Sequence, residues 1–195
     1  MKIGVLALQG AFREHRLAFE RLGAQVIEVR LPRHLEGLSG VVIPGGESTT
    51  MAKLMSSYGL DHALREYHRS GGAIWGTCAG AIAVAQEISG RPGQPTLGLL
   101  DITVERNAYG RQVASFEADL EIEGMEGAFR AVFIRAPRIV RAGPAVEVLG
   151  ELEGDPVMVR QGRVIAGVFH PELSGDDRVH EYFLNQVAGP VLAAG

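Results

Sequence analysis

A single cysteine stands at position 78 of the 195 residues, within Gly76-Thr77-Cys78-Ala79-Gly80. The apolar run Ala73-Ile74-Trp75 leads into it, and the helix-like segment Ala81-Ile82-Ala83-Val84-Ala85 follows. Strand, sharp turn and helix, with glycine two residues before and two after the central residue, is the layout of a nucleophile elbow. The glycines permit a tight turn and leave room around the thiol. A thiol at a helix N-terminus lies near unpaired N–H groups and the positive dipole end, which both favour thiolate. The Ala79 N–H would then point at whatever Cys78 attacks, as one donor of an oxyanion hole. Taken alone, the cysteine reads equally as a small buried apolar residue.

A second group bears on that choice. Residues 166–173 read Ala-Gly-Val-Phe-His-Pro-Glu-Leu. Pro171 disfavours helical backbone at His170, and in an extended chain residues two apart share a side. His170 and Glu172 are therefore expected to emerge together at a strand end, as Cys–His–Glu catalysis requires. His170 would take the thiol proton, and Glu172 would hold its tautomer and stabilise the imidazolium. The alternative is a surface His-Pro turn beside an exposed glutamate. A third stretch, Pro44-Gly45-Gly46-Glu47-Ser48-Thr49-Thr50, follows a short apolar run. Its glycines would free backbone N–H groups for a ligand, with Ser48 or Thr49 capping the next helix. It lacks the Gly-Lys-Ser/Thr of a phosphate-binding Walker loop and reads alternatively as a plain strand-to-helix turn.

The elements that must position these groups follow from periodicity. Residues 2–8, 25–31 and 40–43 are apolar runs suited to strands buried on both faces. Residues 11–22 carry a helical apolar face closed by Gly23. Two short helices are expected over 48–57 and 60–70, broken at Gly59, and the elbow helix is expected to run to about Ser89. From Leu97 onward, strands are expected at 99–106, 112–122, 129–134, 145–152, 155–160 and 163–170. A closing helix over Asp176–Val187 buries Val179, Tyr182, Phe183 and Val187, and residues 191–195 are expected to fray. The fold class is α/β: an open, mixed, mostly parallel sheet flanked by helices, with antiparallel strands in the second half. Functional sites in such sheets lie at the carboxyl ends of strands.

Composition narrows the function. Apolar residues make up 46%, enough for a full core, and the formal net charge is −4 with no basic cluster, which argues against nucleic-acid binding. No apolar run is long enough to span a membrane, and the N-terminus lacks the pattern of a signal peptide. One cysteine excludes an intrachain disulfide and a multi-cysteine zinc site, and fits a reducing cytoplasm. His62 and His68 are six apart, which is not a same-face spacing for metal ligands. The length suits one domain.

Gly-Thr-Cys-Ala-Gly together with Phe-His-Pro-Glu resembles the class I, or triad, glutamine amidotransferases. Further blocks are similar to the glutaminase subunits of two-component pyridoxal 5′-phosphate synthases. These are Leu8-Gln9-Gly10-Ala11 with Arg13-Glu14-His15, the Pro44–Thr50 stretch, Val104-Glu105-Arg106-Asn107, Gly110-Arg111-Gln112, Ser115-Phe116-Glu117 and Phe133-Ile134-Arg135-Ala136-Pro137. The resemblance spans residues 1–187. It implies a flavodoxin-like sheet and one glutaminase domain over 1–195, with an ordered core of about 1–187. It implies a Cys78–His170–Glu172 triad, an oxyanion hole from Gly46 and Ala79, and L-glutamine contacts at Gly46, Glu47, Ser48, Arg106, Ile134 and Arg135. No cofactor and no metal are expected. The implied partner is a (β/α)8-barrel synthase subunit, a dodecamer bearing up to twelve glutaminases. It receives ammonia and combines it with ribose 5-phosphate and glyceraldehyde 3-phosphate.

From the residues themselves, glutamine's α-carboxylate needs a cation or N–H donors and its α-ammonium an acceptor. Arg106 and Arg135 could supply the first and Glu47 the second, though either arginine also reads as a strand-end surface charge. Three competing readings stay open at this point: a glutaminase serving another synthase, a stand-alone γ-glutamyl thiol hydrolase, and a non-catalytic assembly subunit with an inert Cys78.

Overall fold

In a computed structural model, residues 1–106 and 115–190 are described. Asn107, the Gly110-Arg111-Gln112 block, the first residues of the strand expected at 112–122 and the tail from 191 lie outside the described residues.

The first half alternates strand and helix. β1 (Lys2–Leu6), α1 (Phe12–Arg21), β2 (Gln25–Val29) and β3 (Gly40–Ile43) come first. Then follow α2 (Ser48–Ser57), α3 (Leu60–Arg69), β4 (Ala73–Thr77), α4 (Ala79–Val84) and β5 (Ala85–Ile88). The second half holds β6 (Leu100–Glu105), β7 (Ser115–Leu120), β8 (Phe129–Ile134), β9 (Arg138–Ala142), β10 (Glu147–Leu152), β11 (Asp155–Gln161) and β12 (Val164–Gly167). It closes with α5 (Arg178–Tyr182), extended by a π-helical turn over Phe183–Val187.

Seven strands form one sheet in the order β10-β11-β12-β4-β3-β1-β2. The run from β12 to β2 is parallel, and β11 and β10 add an antiparallel edge. Counting only the parallel strands, the order is the 2-1-3-4-5 of flavodoxin-like sheets. The parallel strands are apolar throughout because helices cover both faces: every residue of β3, β4 and β12 is buried. Alternation along β4 sorts the two faces. Trp75 packs edge-on against Phe19 of α1 and at a tilt against Phe183 after α5. Gly76, on the opposite face, meets α4. A three-stranded sheet, β5-β6-β9, and the β7-β8 hairpin complete the second half.

Two expectations are corrected. The elbow helix stops at Val84 rather than near Ser89, because Ala85–Ile88 pairs in parallel with β6 as β5. Tertiary strand pairing overrides the helix preference of an alanine-rich segment. β9 was not expected. Its five residues follow Pro137 and bury fully only Ile139, so the periodicity is too short to register, and it is antiparallel pairing with β6 that makes it a strand.

The approach of α4 to the sheet rests on two missing side chains. A Cβ on Gly76 would lie 2.2 Å from the Gly80 carbonyl oxygen, and one on Gly80 would lie 1.8 Å from the Ile43 carbonyl oxygen of β3. The obstructing atoms are backbone and cannot move aside. Gly80→Ala is expected to destabilise the fold by about 3 kcal/mol or more. Gly93→Ala, in a loop where nothing lies within 4 Å of the added Cβ, should stay within about 0.5 kcal/mol of wild type. Denaturant unfolding midpoints of the two variants check this.

Candidate active site

Strand order brings the chemistry together. Cys78 directly follows β4, His170 lies just beyond β12, and Gly45-Gly46 lies just beyond β3. These are three adjacent parallel strands, with Gly167 of β12 opposite Thr77 of β4 and Ile43 of β3 opposite Gly76. Residues a step past each strand end therefore meet at the carboxyl edge of the sheet.

Cys78 has φ 51° and ψ −107°, a left-handed backbone that a side-chain-bearing residue rarely adopts. Its N–H donates to the Gly167 carbonyl at 2.8 Å, and its own carbonyl accepts from Ala81 N–H at 3.0 Å. The turn is thus clamped on both sides. α4 is only six residues long, so its dipole is smaller than that of the longer expected helix. The thiol lies 3.8 Å from the Ile134 carbonyl, a weak S–H···O contact that leaves His170 as its charge partner.

His170 and Glu172 meet by a route other than strand alternation. β12 ends at Gly167, and Pro171 opens a 3-10 turn over Pro171–Leu173. Proline's fixed φ suits the first position of a helical turn, and the turn carries Glu172 back so that His170 Nδ1–H donates to Glu172 Oε1 at 2.7 Å. The His170 backbone N–H is held by the Val132 carbonyl of β8 at 2.7 Å. Both side chains are nearly covered, His170 8% and Glu172 9% exposed. Burial works against the imidazolium, but hydrogen bonds and charge from Cys78 and Glu172 outweigh it and raise the His170 pKa to about 10. Gly45 leaves room for this contact: a Cβ there would lie 2.6 Å from the His170 ring and 3.3 Å from Cys78 Cβ.

A cavity of about 490 Å³ opens onto Cys78 and His170. Gly46, Glu47, Ser48, Ala79, Arg106, Ile134 and Arg135 all line it, as do Ile82 and Pro137, which the sequence did not single out. Among the described residues, no protein acceptor takes the Gly46 or Ala79 N–H. The peptide before Gly46 is oriented by Ala11 N–H, which donates to the Gly45 carbonyl at 3.1 Å. Gln9 clamps the next peptide, accepting from Glu47 N–H at 3.1 Å and donating to the Glu47 carbonyl at 3.2 Å.

The helix cap is Glu47, not Ser48 or Thr49. Its carboxylate accepts from Thr49 N–H at 3.0 Å and Thr50 N–H at 2.7 Å. Hydrogen bonding with Thr50, opposed by burial and aided by Thr49, lowers its pKa to about 2. Two carboxylate oxygens reach both N–H groups at once, which a single hydroxyl does not. Arg106 donates to Gln94 Oε1 at 2.6 Å and Thr49 Oγ1 at 3.1 Å, and lies 3.4 Å from Glu47. Arg135, itself at positive φ, has no ion pair among the described residues and is the cation left available on the cavity wall. Gln94, which braces Arg106 and Ser48, was missed because it sits in a loop with no periodicity or motif. Among the described residues no group of His, Cys, Asp and Glu is placed to hold a metal ion.

A cysteine at a strand-to-helix elbow, an imidazole bonded to a carboxylate and two N–H groups without a protein acceptor among the described residues lie together at the edge of a parallel α/β sheet. The chain belongs to the SNO glutamine amidotransferase family, whose model matches residues 5–189. It is 60% identical over 188 residues to the pyridoxal 5′-phosphate synthase subunit PdxT of Deinococcus radiodurans, covering 94% of this chain and 96% of that protein. A PdxT of Thermus thermophilus is 58% identical, over 96% of this chain and 97% of its own length. A crystal structure of a glutamine amidotransferase at 57% identity matches with a TM-score of 0.92, over 96% of this chain and 99% of that one. PurLQS from Thermotoga maritima, at 19% identity and a TM-score of 0.71, shares the fold.

The His170 pKa has a kinetic consequence. Held near 10, the imidazolium persists through neutral pH and is lost as pH rises through about 10. The folded value exceeds the unfolded one, so its stabilising effect is complete below the unfolded pKa of about 6.5 and disappears across that same window. The expected kcat/KM profile for glutamine has an alkaline limb near pH 10. Glu172→Gln, which removes the charge while keeping the shape, should move that limb to lower pH. Rate profiles of the two proteins from pH 6 to pH 11 check it.

Proposed function

We propose that the chain is the glutaminase subunit of a pyridoxal 5′-phosphate synthase. It hydrolyses L-glutamine to glutamate and ammonia and delivers the ammonia to a separate synthase subunit. The observation that carries the chemistry is the buried His170–Glu172 pair beside the strained Cys78, with the 490 Å³ cavity in front of it. The names of the relatives support the choice of synthase.

In this reading Cys78, as thiolate, attacks the side-chain amide carbon of glutamine. The carbonyl π electrons move to oxygen, and the resulting oxyanion is held by the Gly46 and Ala79 N–H groups. His170 gives its proton to the amide nitrogen, the C–N bond breaks, and ammonia leaves a γ-glutamyl thioester. Water, deprotonated by His170, then attacks the thioester, and glutamate departs as the thiolate–imidazolium pair returns. Glu172 keeps the His170 proton on Nδ1 and stabilises the imidazolium. Arg135 meets the substrate α-carboxylate. Glu47, braced by Thr49, Thr50 and Arg106, meets the α-ammonium, with Ser48 and Ile134 completing the wall.

Free ammonia becomes unreactive ammonium at neutral pH, so a synthase beside the site keeps it reactive. The partner is a barrel subunit, dodecameric with up to twelve glutaminases, working in the cytoplasm; no helix among the described residues is long and apolar enough to cross a membrane. The whole chain, 1–195, acts as one glutaminase domain. Docking near Gln9-Gly10 would act on Gly46 through the bonds from Gln9 and Ala11.

The test is glutamate release from L-glutamine by the chain alone, with a pyridoxal 5′-phosphate synthase barrel subunit, and with Cys78→Ala. Strong stimulation by the partner, abolished in Cys78→Ala, is expected. Equal kcat/KM with and without the partner overturns the assignment to this synthase. Retained release in Cys78→Ala overturns the mechanism.

A further inference from the structure

Two histidines of the core lie outside the mechanism above. His15 of α1 and His180 of α5 are both fully buried, far apart in sequence, and in contact: His15 Nδ1 lies 2.8 Å from His180 Nε2. His15 Nε2 lies 3.3 Å from Glu172 Oε2 and 3.1 Å from Thr77 Oγ1. Glu172 uses Oε1 for His170; its Oε2 is buried and makes no hydrogen bond among the described residues, and the 3.3 Å approach of His15 Nε2 is an electrostatic contact. We propose that His15, its tautomer set by His180, is a positioning residue that holds the second oxygen of Glu172 and thereby the orientation and charge of the Glu172–His170 pair. This inference rests on the triad reading given above.

The proton count selects one arrangement. Burial keeps both rings neutral: it lowers the His15 pKa well below its ordinary value, helped by His180 and His170, and lowers that of His180 to about 3. Each neutral ring then carries one N–H. A lone pair on His15 Nε2 would face the Glu172 carboxylate, so the proton sits on Nε2, donated to Thr77 Oγ1 with the N–H beside Glu172 Oε2. His15 Nδ1 is therefore an acceptor, and His180 must donate to it from Nε2. That leaves His180 Nδ1 unprotonated, and Nδ1 is the His180 nitrogen that has no partner. An orphaned acceptor is better tolerated in a core than an orphaned N–H. One hydrogen-bond direction thus runs from His180 through His15 to Thr77, and the His15 N–H lies beside Glu172 Oε2.

The surroundings contain little else that titrates. Glu172 is faced by His170 from its own segment and by His15 from α1. His15 is faced by His180, Thr77 and the edge of Trp75. His180 packs against Phe19 and Trp75, with Asp177 and Arg21 the further charges acting on it. In this apolar setting, removing the His15 N–H takes away the polar group that faces a buried carboxylate oxygen with no hydrogen bond of its own. The Glu172 carboxylate is then less firmly placed and stabilises the His170 imidazolium less.

The test compares wild type, His15→Leu and His15→Gln in glutamine hydrolysis by the assembled complex, with kcat and KM measured separately across pH. Nitrogen-15 NMR of histidine-labelled wild-type chain reads the tautomers directly. His15→Leu should lose roughly ten- to a hundredfold in kcat, the scale found when an outer partner of a functional histidine site is removed. KM should stay within about twofold, and the alkaline limb should fall by about one pH unit. His15→Gln, which keeps an N–H near the Nε2 position, should recover most of both. The spectra should show Nε2–H tautomers at His15 and His180. A His15→Leu enzyme within about twofold of wild type overturns the inference. So does a loss of kcat with an unmoved limb, the result of disturbed packing alone, or an Nδ1–H tautomer at His15. Should His15→Leu not fold, His15→Gln and the tautomers decide. A wild-type complex without glutaminase activity overturns the functional reading instead, and the tautomers alone then decide this one.

Discussion

The backbone of Cys78 is the constraint on which the rest depends. A residue with a side chain held at φ 51°, ψ −107° carries strain on the order of 1–3 kcal/mol and needs its surroundings to hold it there. Those surroundings are the sheet itself. The Cys78 N–H is taken by β12 through Gly167, while Gly76 and Gly80 let α4 settle onto the carbonyls of the elbow and of β3. The glycines flanking the cysteine are needed for backbone contact rather than for space around the thiol. The glycine that spares the thiol and imidazole is Gly45, on the neighbouring loop. Parallel packing of β3, β4 and β12 thus fixes where the thiol points and which groups stand beside it.

Charge is managed by burial on one side of this edge and by bracing on the other. On the inner side, Glu172 is covered, bonded to His170 and close to His15, which packs against Trp75. Low local dielectric makes each of these polar contacts stronger and each missing one more damaging. On the cavity side, Glu47 is more exposed, and its position comes from helix-capping bonds and from Arg106, itself tied to Gln94 and Thr49. One carboxylate is held by enclosure, and the other by donors on its own helix.

The same sheet serves relatives that differ widely in sequence. PurLQS of Thermotoga maritima matches it at 19% identity, whereas the Deinococcus radiodurans PdxT matches at 60% over nearly the whole chain. Architecture is set by the alternation of apolar strands and amphipathic helices, which many sequences satisfy. Loops such as Pro44–Thr50 and the segment around Ile134–Arg135 contribute the cavity lining. Loops can vary without unfolding the sheet.

What the sequence determined by itself is local. Buried strands at 40–43 and 73–77, helices broken at Gly59, the glycine-flanked cysteine and the His-Pro-Glu run are all readable because period, punctuation and residue type act over a few positions. The extent of α4, the existence of β9 and the use of Glu47 as a cap were decided by pairing and geometry that no short window contains. So was the means by which Glu172 reaches His170: a proline-opened turn replaced strand alternation. In sequence His15 is part of the Arg13-Glu14-His15 block and His180 an unremarked residue of the closing helix, with nothing to join the two. Only folding α1 and α5 onto the same face of β4 places them in line with Glu172, because a hydrogen bond across 165 residues of chain exists once the sheet has brought both helices together.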